Sequence, residues 1–184
     1  MIVAFSGSHQ VGKTTLVNEL KKRFRLPVVN EVAEKIHKLY PEMGYFHKEL
    51  LMVFEQIREE NRVLKNNNTK IIIADRCVWD MLVYSAWLKE KGLITEEEYS
   101  IIEAIVETVG KERYSLIFFV RPVIEVNSFR QIDVFDRKAQ REIDKMFEKF
   151  FRERNINYIE IKEKDLEERV KFVSEVLSKY QLLL

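Results

Sequence analysis

The sequence has little cysteine, glycine or proline, and each shortage excludes a class of protein. The single cysteine, Cys77, cannot form an internal disulfide, and no Cys-x-x-Cys or Cys/His cluster indicates a zinc site. With only 5 glycines and 3 prolines, no segment has the composition of a linker between domains. The 184 residues, 46% of them hydrophobic, are enough for one domain with a substantial core.

Excess charge and long apolar runs are also missing. Lysine and arginine together number 31 and the acidic residues 30, so net charge gives no reason to expect a nucleic acid or a membrane as partner. No apolar run approaches the length of a membrane span, and the amino terminus resembles a strand rather than a signal peptide. We therefore expect a cytoplasmic protein that acts on a small molecule. The sequence leaves the oligomeric state open, a homodimer included.

Short apolar segments alternate with segments of helical periodicity along the whole chain. Strands are predicted at residues 2–6, 26–29, 70–74, 115–120 and 158–161. Helices are predicted at residues 14–24, 31–40, 48–65, 78–91, 95–109, 128–154 and 165–180. Strands that are apolar at nearly every position and separated by helices indicate a parallel sheet covered on both faces. The prediction is one α/β domain over residues 1–184, with a five-stranded parallel sheet and helices on both faces.

The segment GSHQVGKT, from Gly7 to Thr14, fits the pattern G-x-x-x-x-G-K-[ST]. It lies between a predicted strand and a predicted helix, which is the context of a phosphate-binding P-loop. Lys13 would contact the β- and γ-phosphates, and Thr14 would bind Mg²⁺. The expected fold is therefore the three-layer P-loop NTPase fold, and the expected cofactors are ATP and Mg²⁺. The predicted nucleotide-binding residues are Gly7, Val11, Gly12, Lys13, Thr14 and Thr15.

A phosphate-binding loop does not define a reaction, because switches, motors and kinases all contain one. The chain is too short for most motor ATPases. The segment Asp75 to Val78 lacks the glycine of the D-x-x-G motif of switch proteins, and no N-K-x-D segment for reading guanine is present. Small-molecule kinases of this fold have about this length. The sequence therefore favours a kinase.

A second polar pair follows the predicted strand that ends at Ala74. Asp75 is placed at the carboxyl edge of the sheet, where open α/β sheets bind ligands, and its carboxylate could hold Mg²⁺ directly or through water. Arg76 could neutralise charge on the transferred phosphoryl group. Alternatively, the pair only starts the following helix.

With these motifs the chain resembles the P-loop nucleoside and nucleotide kinase superfamily. It looks closest to the small ATP-binding kinases typified by the ribosylnicotinamide kinase domain of bacterial NAD-metabolism regulators. The matching segments span most of the chain and are FSGSHQVGKTTLVNELKKRF, LPVVNEVAEKI, FEQIREENRV, IIIADRCVWDMLVYSAWL and REIDKMFEKFFRERNINYIEIKEKDLEERVKFV.

The resemblance implies an acceptor site. In the similar nucleoside kinases, a carboxylate at the position of Glu31 contacts the acceptor hydroxyl and can take its proton, and it would disfavour an acceptor that already carries a phosphate. The relatives often have E-x-x-R here, whereas this chain has Glu34. The resemblance also implies that Gln56 hydrogen-bonds the base, with Phe54, or else Trp79 or Tyr84, as a stacking surface. Two alternatives stay open: Glu31 only opens a helix, and Phe54 belongs to the core.

Residues 121–141 resemble the lid that closes over the triphosphate in these kinases. Arg130 and Arg137 are the arginines expected to touch the transferred phosphate. The alternative is a solvated basic face paired with neighbouring aspartates. The predicted catalytic residues are Lys13, Glu31, Asp75, Arg76, Arg130 and Arg137.

These patterns together predict an ATP-dependent kinase that phosphorylates a hydroxyl of a nucleoside-like acceptor, such as nicotinamide riboside or a deoxynucleoside. Two other functions remain open at this point. One is a nucleoside monophosphate kinase of the thymidylate type. The other is a non-kinase regulatory module that binds ATP.

Overall fold

The computed structural model describes residues 1–122 and 134–182, which form five strands and seven helices. The strands are β1 (Ile2–Ser6), β2 (Val28–Val29), β3 (Ile72–Asp75), β4 (Leu116–Val120) and β5 (Ile159–Ile161). The helices are α1 (Lys13–Phe24), α2 (Ala33–Leu39), α3 (Tyr45–Lys65), α4 (Val78–Glu90), α5 (Glu96–Gly110), α6 (Arg137–Glu153) and α7 (Leu166–Lys179). All strand pairs are parallel, in the order β2-β3-β1-β4-β5. The predicted five-stranded parallel sheet is confirmed.

The sheet separates two hydrophobic cores, because alternate residues of each strand point to opposite faces. In β1, Val3 and Phe5 pack in the core that α1 and α7 cover, whereas Ile2 and Ala4 pack in the larger core beneath α3, α4 and α6. Residues of both faces are almost completely buried, which explains the continuous apolar runs in the sequence.

The predicted helix ends agree with the structure where capping residues mark them. Thr95 and Glu98 form a capping box at the start of α5, and the side chain of Asp165 accepts hydrogen bonds from the first turn of α7. Of the helix predicted at residues 128–154, the described residues 134–136 are not helical, because α6 begins at Arg137 after the cap Asp136. Residues 123–133, which include Arg130 and much of the predicted lid, lie outside the described residues.

The strand order brings the carboxyl ends of β2, β3 and β1 to neighbouring places on one edge. Phe5 of β1 is in register with Asp75 of β3, so the loops that follow these two strands start side by side. Ligands of open parallel sheets bind at this edge.

No helix within residues 1–122 and 134–182 combines the length and the apolar character that crossing a bilayer requires. The single-domain organisation, the cytoplasmic location, the lack of a nucleic-acid partner and the open question of a homodimer stay predictions.

Candidate active site

A cleft of about 690 Å³ opens at the carboxyl edge of the sheet. His9, Gln10 and residues 12–15 line it on one side, and five residues between Glu31 and Lys38 line another part together with two residues of α3. Arg76, three residues of α4 and Phe135 line the rest. The cleft therefore joins the segments that follow β1, β2 and β3. The predicted residues in its lining are Gly12, Lys13, Thr14, Thr15, Glu31 and Arg76.

The P-loop backbone requires glycine at both glycine positions of the motif. Gly7 has a φ of 135°, and a Cβ atom there would lie 2.6 Å from the carbonyl oxygen of Val120. Gly12 has a φ of 88° and precedes the first residue of α1. Both angles fall in the left-handed region that other residues rarely adopt. The backbone conformation of the loop thus explains both glycines of the motif without reference to any ligand.

Lys13 lies inside the loop rather than in solvent. Its ammonium group donates hydrogen bonds to the carbonyl oxygens of Gly7 and Ser8, at 2.9 and 2.6 Å. Burial, with a smaller contribution from Arg76, lowers the pKa of Lys13 to about 8. The charged group is held within the curve of the loop, as a phosphate contact through this loop requires.

Asp80, in the first turn of α4, fixes the base of the cleft. Its carboxylate accepts hydrogen bonds from the Ser6 hydroxyl at 2.6 Å and from the Cys77 thiol at 3.0 Å, and longer ones from the amides of Gly7 and Cys77. The Arg76 guanidinium donates to it as well, at 3.2 Å. Asp80 therefore connects the P-loop to the end of β3. Sequence reasoning missed this residue, although its spacing of four from Arg76 at a helix start is typical of an ion pair.

Arg76 and Glu31 form a buried ion pair beside the P-loop. Arg76 Nε donates to Glu31 Oε1 at 2.6 Å, and the guanidinium group is only 8% exposed. Burial alone would raise the pKa of Glu31, but the positive charges of Arg76 and Lys13 outweigh it, so the pKa lies below its usual value. Arg76 has a φ of 82°, a strained backbone angle for a residue other than glycine. The strain and the ion pair aim the guanidinium group into the cleft.

Asp75 is buried next to the P-loop threonine. Its Oδ1 atom has no hydrogen-bond partner among the described residues, and the Thr14 side chain lies near the carboxylate. Burial and the nearby Glu31 charge raise the pKa of Asp75, and the Lys13 charge and the Thr14 side chain only partly oppose the shift. A cation bound to the carboxylate would offset both the burial of its charge and the repulsion from Glu31.

The pair Thr14 and Asp75 therefore fits Mg²⁺. The metal prefers oxygen ligands and usually keeps water and phosphate oxygens in its coordination sphere. In residues 1–122 and 134–182, no group of three or more His, Cys, Asp or Glu side chains could hold a metal. Water and nucleotide phosphates would complete the coordination of a magnesium ion bound here.

The far wall of the cleft is apolar and aromatic. Met52 of α3, Met81 and Tyr84 of α4, and Phe135 line it, and the rings of Tyr84 and Phe135 meet edge to face at 5.4 Å. Glu49 of α3 is the exception. It is 4% exposed, its Oε2 atom has no partner within the described part of the chain, and burial raises its pKa to about 8.

The structure does not bring Phe54 or Gln56 to the cleft lining. Phe54 is 56% exposed on the surface of α3, so the stacking role predicted for it does not agree with its position. Gln56 is completely buried, and its amide donates to the Glu60 carboxylate at 2.9 Å and to the Arg76 carbonyl at 3.2 Å. Gln56 therefore supports the backbone of Arg76. The polar α3 residue that lines the cleft is Glu49, two turns earlier.

His9 connects the P-loop to the start of α6. Its Nε2 donates to the carbonyl oxygen of Asp136 at 3.1 Å, so Nδ1 accepts from the Tyr84 hydroxyl at 3.2 Å. Burial lowers the pKa of His9 to about 4, which keeps the ring neutral at pH 7. The side-chain amide of Gln140 adds a hydrogen bond to the His9 carbonyl. Arg137 is exposed at the start of α6 and is not part of the described cleft lining.

The sequence comparisons identify a family. Residues 2–169 match the family model described as the AAA domain. The chain belongs to that family. No protein with curated annotation matches the sequence.

The overall fold of this AAA-domain protein matches several solved kinase structures. Deoxyadenosine kinase from M. mycoides with bound products superposes with a TM-score of 0.78 at 14% identity, over 97% of this chain and 100% of the other. The NadR protein in complex with NR superposes with a TM-score of 0.79 at 19% identity, over 97% of this chain and 51% of the other. These identities are low, so the likeness establishes the fold. The predicted P-loop kinase fold is confirmed.

Proposed function

We propose that this protein is an ATP-dependent kinase that transfers the γ-phosphoryl group of ATP to a hydroxyl of a nucleoside-like acceptor. The observation that carries the proposal is the continuity of one cleft. It extends from Lys13 and Thr14 of the P-loop, past the ion pair of Glu31 and Arg76, to an aromatic wall. A triphosphate and a flat organic acceptor would meet at that ion pair.

The named relatives support this type of acceptor. One solved neighbour is a deoxyadenosine kinase with nucleotide products, and another is NadR bound to NR. Both share the fold of this chain, and both were solved with small nucleoside- or nucleotide-type ligands. The acceptor of this protein follows from the chemistry of its own cleft.

Each residue of the cleft has a definite task in this proposal. Lys13 and Arg76 stabilise charge on the phosphate chain, which provides most of the catalysis in phosphoryl transfer. Thr14 and Asp75 would hold Mg²⁺, which would neutralise charge on the phosphate oxygens. Glu31 orients the acceptor hydroxyl and takes its proton. Because the pKa of Glu31 lies below its usual value, we expect the proton to move late, after most of the bond to phosphorus has formed.

A carboxylate at position 31 also favours an acceptor without a phosphate of its own. A monophosphate at the same place would bring two negative groups together in a partly buried site. The ion pair with Arg76 leaves little positive charge to compensate. A nucleoside is therefore preferred to a nucleoside monophosphate.

The test is a screen for acceptor-dependent ADP release. The panel contains deoxyadenosine, deoxycytidine, thymidine, their monophosphates and nicotinamide riboside, each with ATP and Mg²⁺. We expect at least one nucleoside to stimulate ADP release and every monophosphate to stimulate it less. Lys13→Ala should abolish the signal, and Lys21→Ala, an exposed lysine on the same helix, should not.

Two results would count against the proposal. Stimulation only by monophosphates would indicate the other kinase class. ADP release that no acceptor changes would indicate a nucleotide-binding regulatory module.

A further inference from the structure

Glu49 is a buried carboxyl group in the cleft for which the proposed catalysis gives no task. It lies on the inward face of α3 with Met52 and Gln56, and it is 4% exposed. Buried polar groups in proteins almost always have hydrogen-bond partners. The Oε2 atom of Glu49 has none among the residues that the structure describes.

The residues around Glu49 do not supply the missing partner. Lys48, its neighbour in the sequence, donates to the carbonyl oxygen of Pro41 at 3.0 Å. Gln56 on the same face donates to Glu60 and to Arg76. Glu60, the other buried glutamate of the helix, is satisfied by Gln56, Arg113 and Tyr114. Glu49 is the carboxyl group of α3 whose hydrogen bonding is left incomplete at the cleft.

Glu49 lines the cleft together with flat aromatic surfaces. Tyr84 and Phe135 line the same space, and Met52 and Met81 make it apolar. A buried carboxylate is much less stable than a carboxylic acid unless a cation pairs with it. Arg76 in the same lining lowers the pKa of Glu49, but burial outweighs this effect, and the guanidinium group donates its hydrogen bonds to Glu31, Gly7 and Asp80 rather than to Glu49. The free oxygen and the apolar walls therefore point to a neutral acid, which can donate one hydrogen bond and accept another.

We propose that Glu49 selects the acceptor by hydrogen-bonding its base as a neutral carboxylic acid. The inference rests on the proposed function and makes its substrate class more specific. The matching base is uncharged and has a hydrogen-bond acceptor next to an N–H donor, as on the amidine edges of adenine and cytosine. The hydroxyl of Glu49 donates to the ring nitrogen while its carbonyl oxygen accepts from the neighbouring amino group.

The charges of the cleft agree with an uncharged base. With Glu49 neutral, the positive side chains in the lining are matched by an equal number of acidic ones: Lys13, Lys38 and Arg76 by Glu31, Glu34 and Asp80. The two closest pairs, Glu31 and Asp80 with Arg76, are already joined by hydrogen bonds. A positively charged base would instead require Glu49 to be ionised, as the additional carboxylate.

The experiment compares the steady-state constants of three variants with those of the wild type. Glu49→Met removes both hydrogen bonds and keeps an unbranched side chain. Glu49→Gln keeps one donor and one acceptor at every pH. The matched control is Glu55→Met on the same helix, where the carboxylate pairs with the exposed Arg58. The acceptors are deoxyadenosine, deoxycytidine and nicotinamide riboside, and the KM for ATP and the melting temperature report on folding.

We expect Glu49→Met to raise the KM of the preferred acceptor by about 10- to 100-fold, the loss typical of buried hydrogen bonds, with kcat changed less than about twofold. Glu49→Gln should restore the KM to within about threefold of the wild type. A residue that only supports the fold would change kcat, the KM for ATP and the melting temperature together. Glu55→Met should leave all constants unchanged.

Other results would overturn the inference in distinguishable ways. An unchanged acceptor KM in Glu49→Met would remove Glu49 from the acceptor site and leave the proposed function standing. A loss in Glu49→Gln equal to that in Glu49→Met, with nicotinamide riboside as the preferred acceptor, would show an ionised carboxylate that pairs with a cationic ring. A wild-type protein that phosphorylates no acceptor would refute the proposed function and this inference with it.

Discussion

Two buried carboxyl groups in one cleft have opposite surroundings. Asp80, on the phosphate side, is 1% exposed and accepts hydrogen bonds from Ser6, Gly7, Cys77 and Arg76. Glu49, on the acceptor side, is 4% exposed and has an oxygen atom without a partner in the described residues. Both groups are equally removed from water, so burial alone does not explain the difference.

The difference indicates how the two sides of the cleft are prepared. On the phosphate side the protein supplies the partners of Asp80, so the P-loop and Arg76 are held in place before any ligand binds, whereas the Oδ1 atom of Asp75 is left for the proposed Mg²⁺. Such preorganisation is what makes electrostatic stabilisation of phosphoryl transfer effective. On the acceptor side, hydrogen bonding is left to be completed by the ligand, which gives selectivity because a wrong ligand leaves the buried group unpaired.

The largest effect is expected on kcat when Glu31, which lies between the phosphate side and the acceptor side of the cleft, is replaced. Glu31→Gln keeps the shape and one hydrogen bond but removes the base, so kcat should fall by about 10²–10⁴-fold while the acceptor KM changes little. With a nucleoside monophosphate the same variant should show a lower KM, because a negative charge has been removed. Steady-state kinetics with a nucleoside and its monophosphate measure both. If kcat/KM is unchanged for every acceptor, Glu31 only precedes α2.

The next largest effect is expected on protein stability when Asp80, the hydrogen-bonded carboxylate, is replaced. Asp80→Ala leaves the buried Arg76 with one partner fewer and four other donors without an acceptor. The free energy of unfolding should fall by about 3–5 kcal/mol. Urea denaturation measures it. Glu90→Ala, at the exposed end of the same helix, is the control and should change stability by less than about 0.5 kcal/mol. Equal stabilities of the two variants would contradict the role given to Asp80.

At Glu49, on the acceptor side, replacing the carboxyl group should increase stability at high pH rather than decrease it. Burial raises the pKa of Glu49 from 4.5 to about 8, so the unfolded chain loses this proton at lower pH than the folded protein. The contribution of Glu49 to the stability of the wild type therefore falls as pH rises from 4.5 to 8, and Glu49→Gln lacks this loss. The stability advantage of Glu49→Gln should grow by on the order of 2–4 kcal/mol between pH 5 and pH 9. Chemical denaturation at both pH values tests this, and a constant difference would contradict the burial argument.

The smallest effect is expected at Asp75. Asp75→Asn keeps the size and shape of the side chain but removes the negative charge that attracts Mg²⁺. The Mg²⁺ concentration at half-maximal activity should rise about tenfold, while the affinity for nucleotide without metal changes little. Titration of activity with Mg²⁺ measures the first quantity and equilibrium binding in EDTA the second. An unchanged Mg²⁺ midpoint would count against a metal role for Asp75.

The two sides also differ in how much of them the sequence predicts. The phosphate side depends on local spacing, so the strand, the glycines, Lys13 and Asp75 follow from one stretch of chain and from the alternation of elements. The acceptor side depends on the rotation of α3 against the sheet. Periodicity predicts that α3 is a helix, but it does not decide which of Glu49, Phe54 and Gln56 faces the cleft. Tertiary packing decides that, and it exposes Phe54.

The same argument explains Asp80 and His9. Each lies in a segment that the motifs cover, but their partners are distant in sequence: Ser6 for Asp80, and Tyr84 with Asp136 for His9. Local patterns contain no information about such pairs. The strand order supplies it, because β1 and β3 are neighbours in the sheet.

The central claim, phosphoryl transfer to a nucleoside, is tested most directly by following phosphorus itself. ³¹P NMR of a mixture of the wild-type protein, ATP, Mg²⁺ and the acceptor selected by the screen resolves ATP, ADP, inorganic phosphate and a nucleoside monophosphate. We predict that ADP and the nucleoside monophosphate form in equal amounts, and that Lys13→Ala produces neither. ADP accompanied only by inorganic phosphate, with the nucleoside unchanged, would contradict the kinase function.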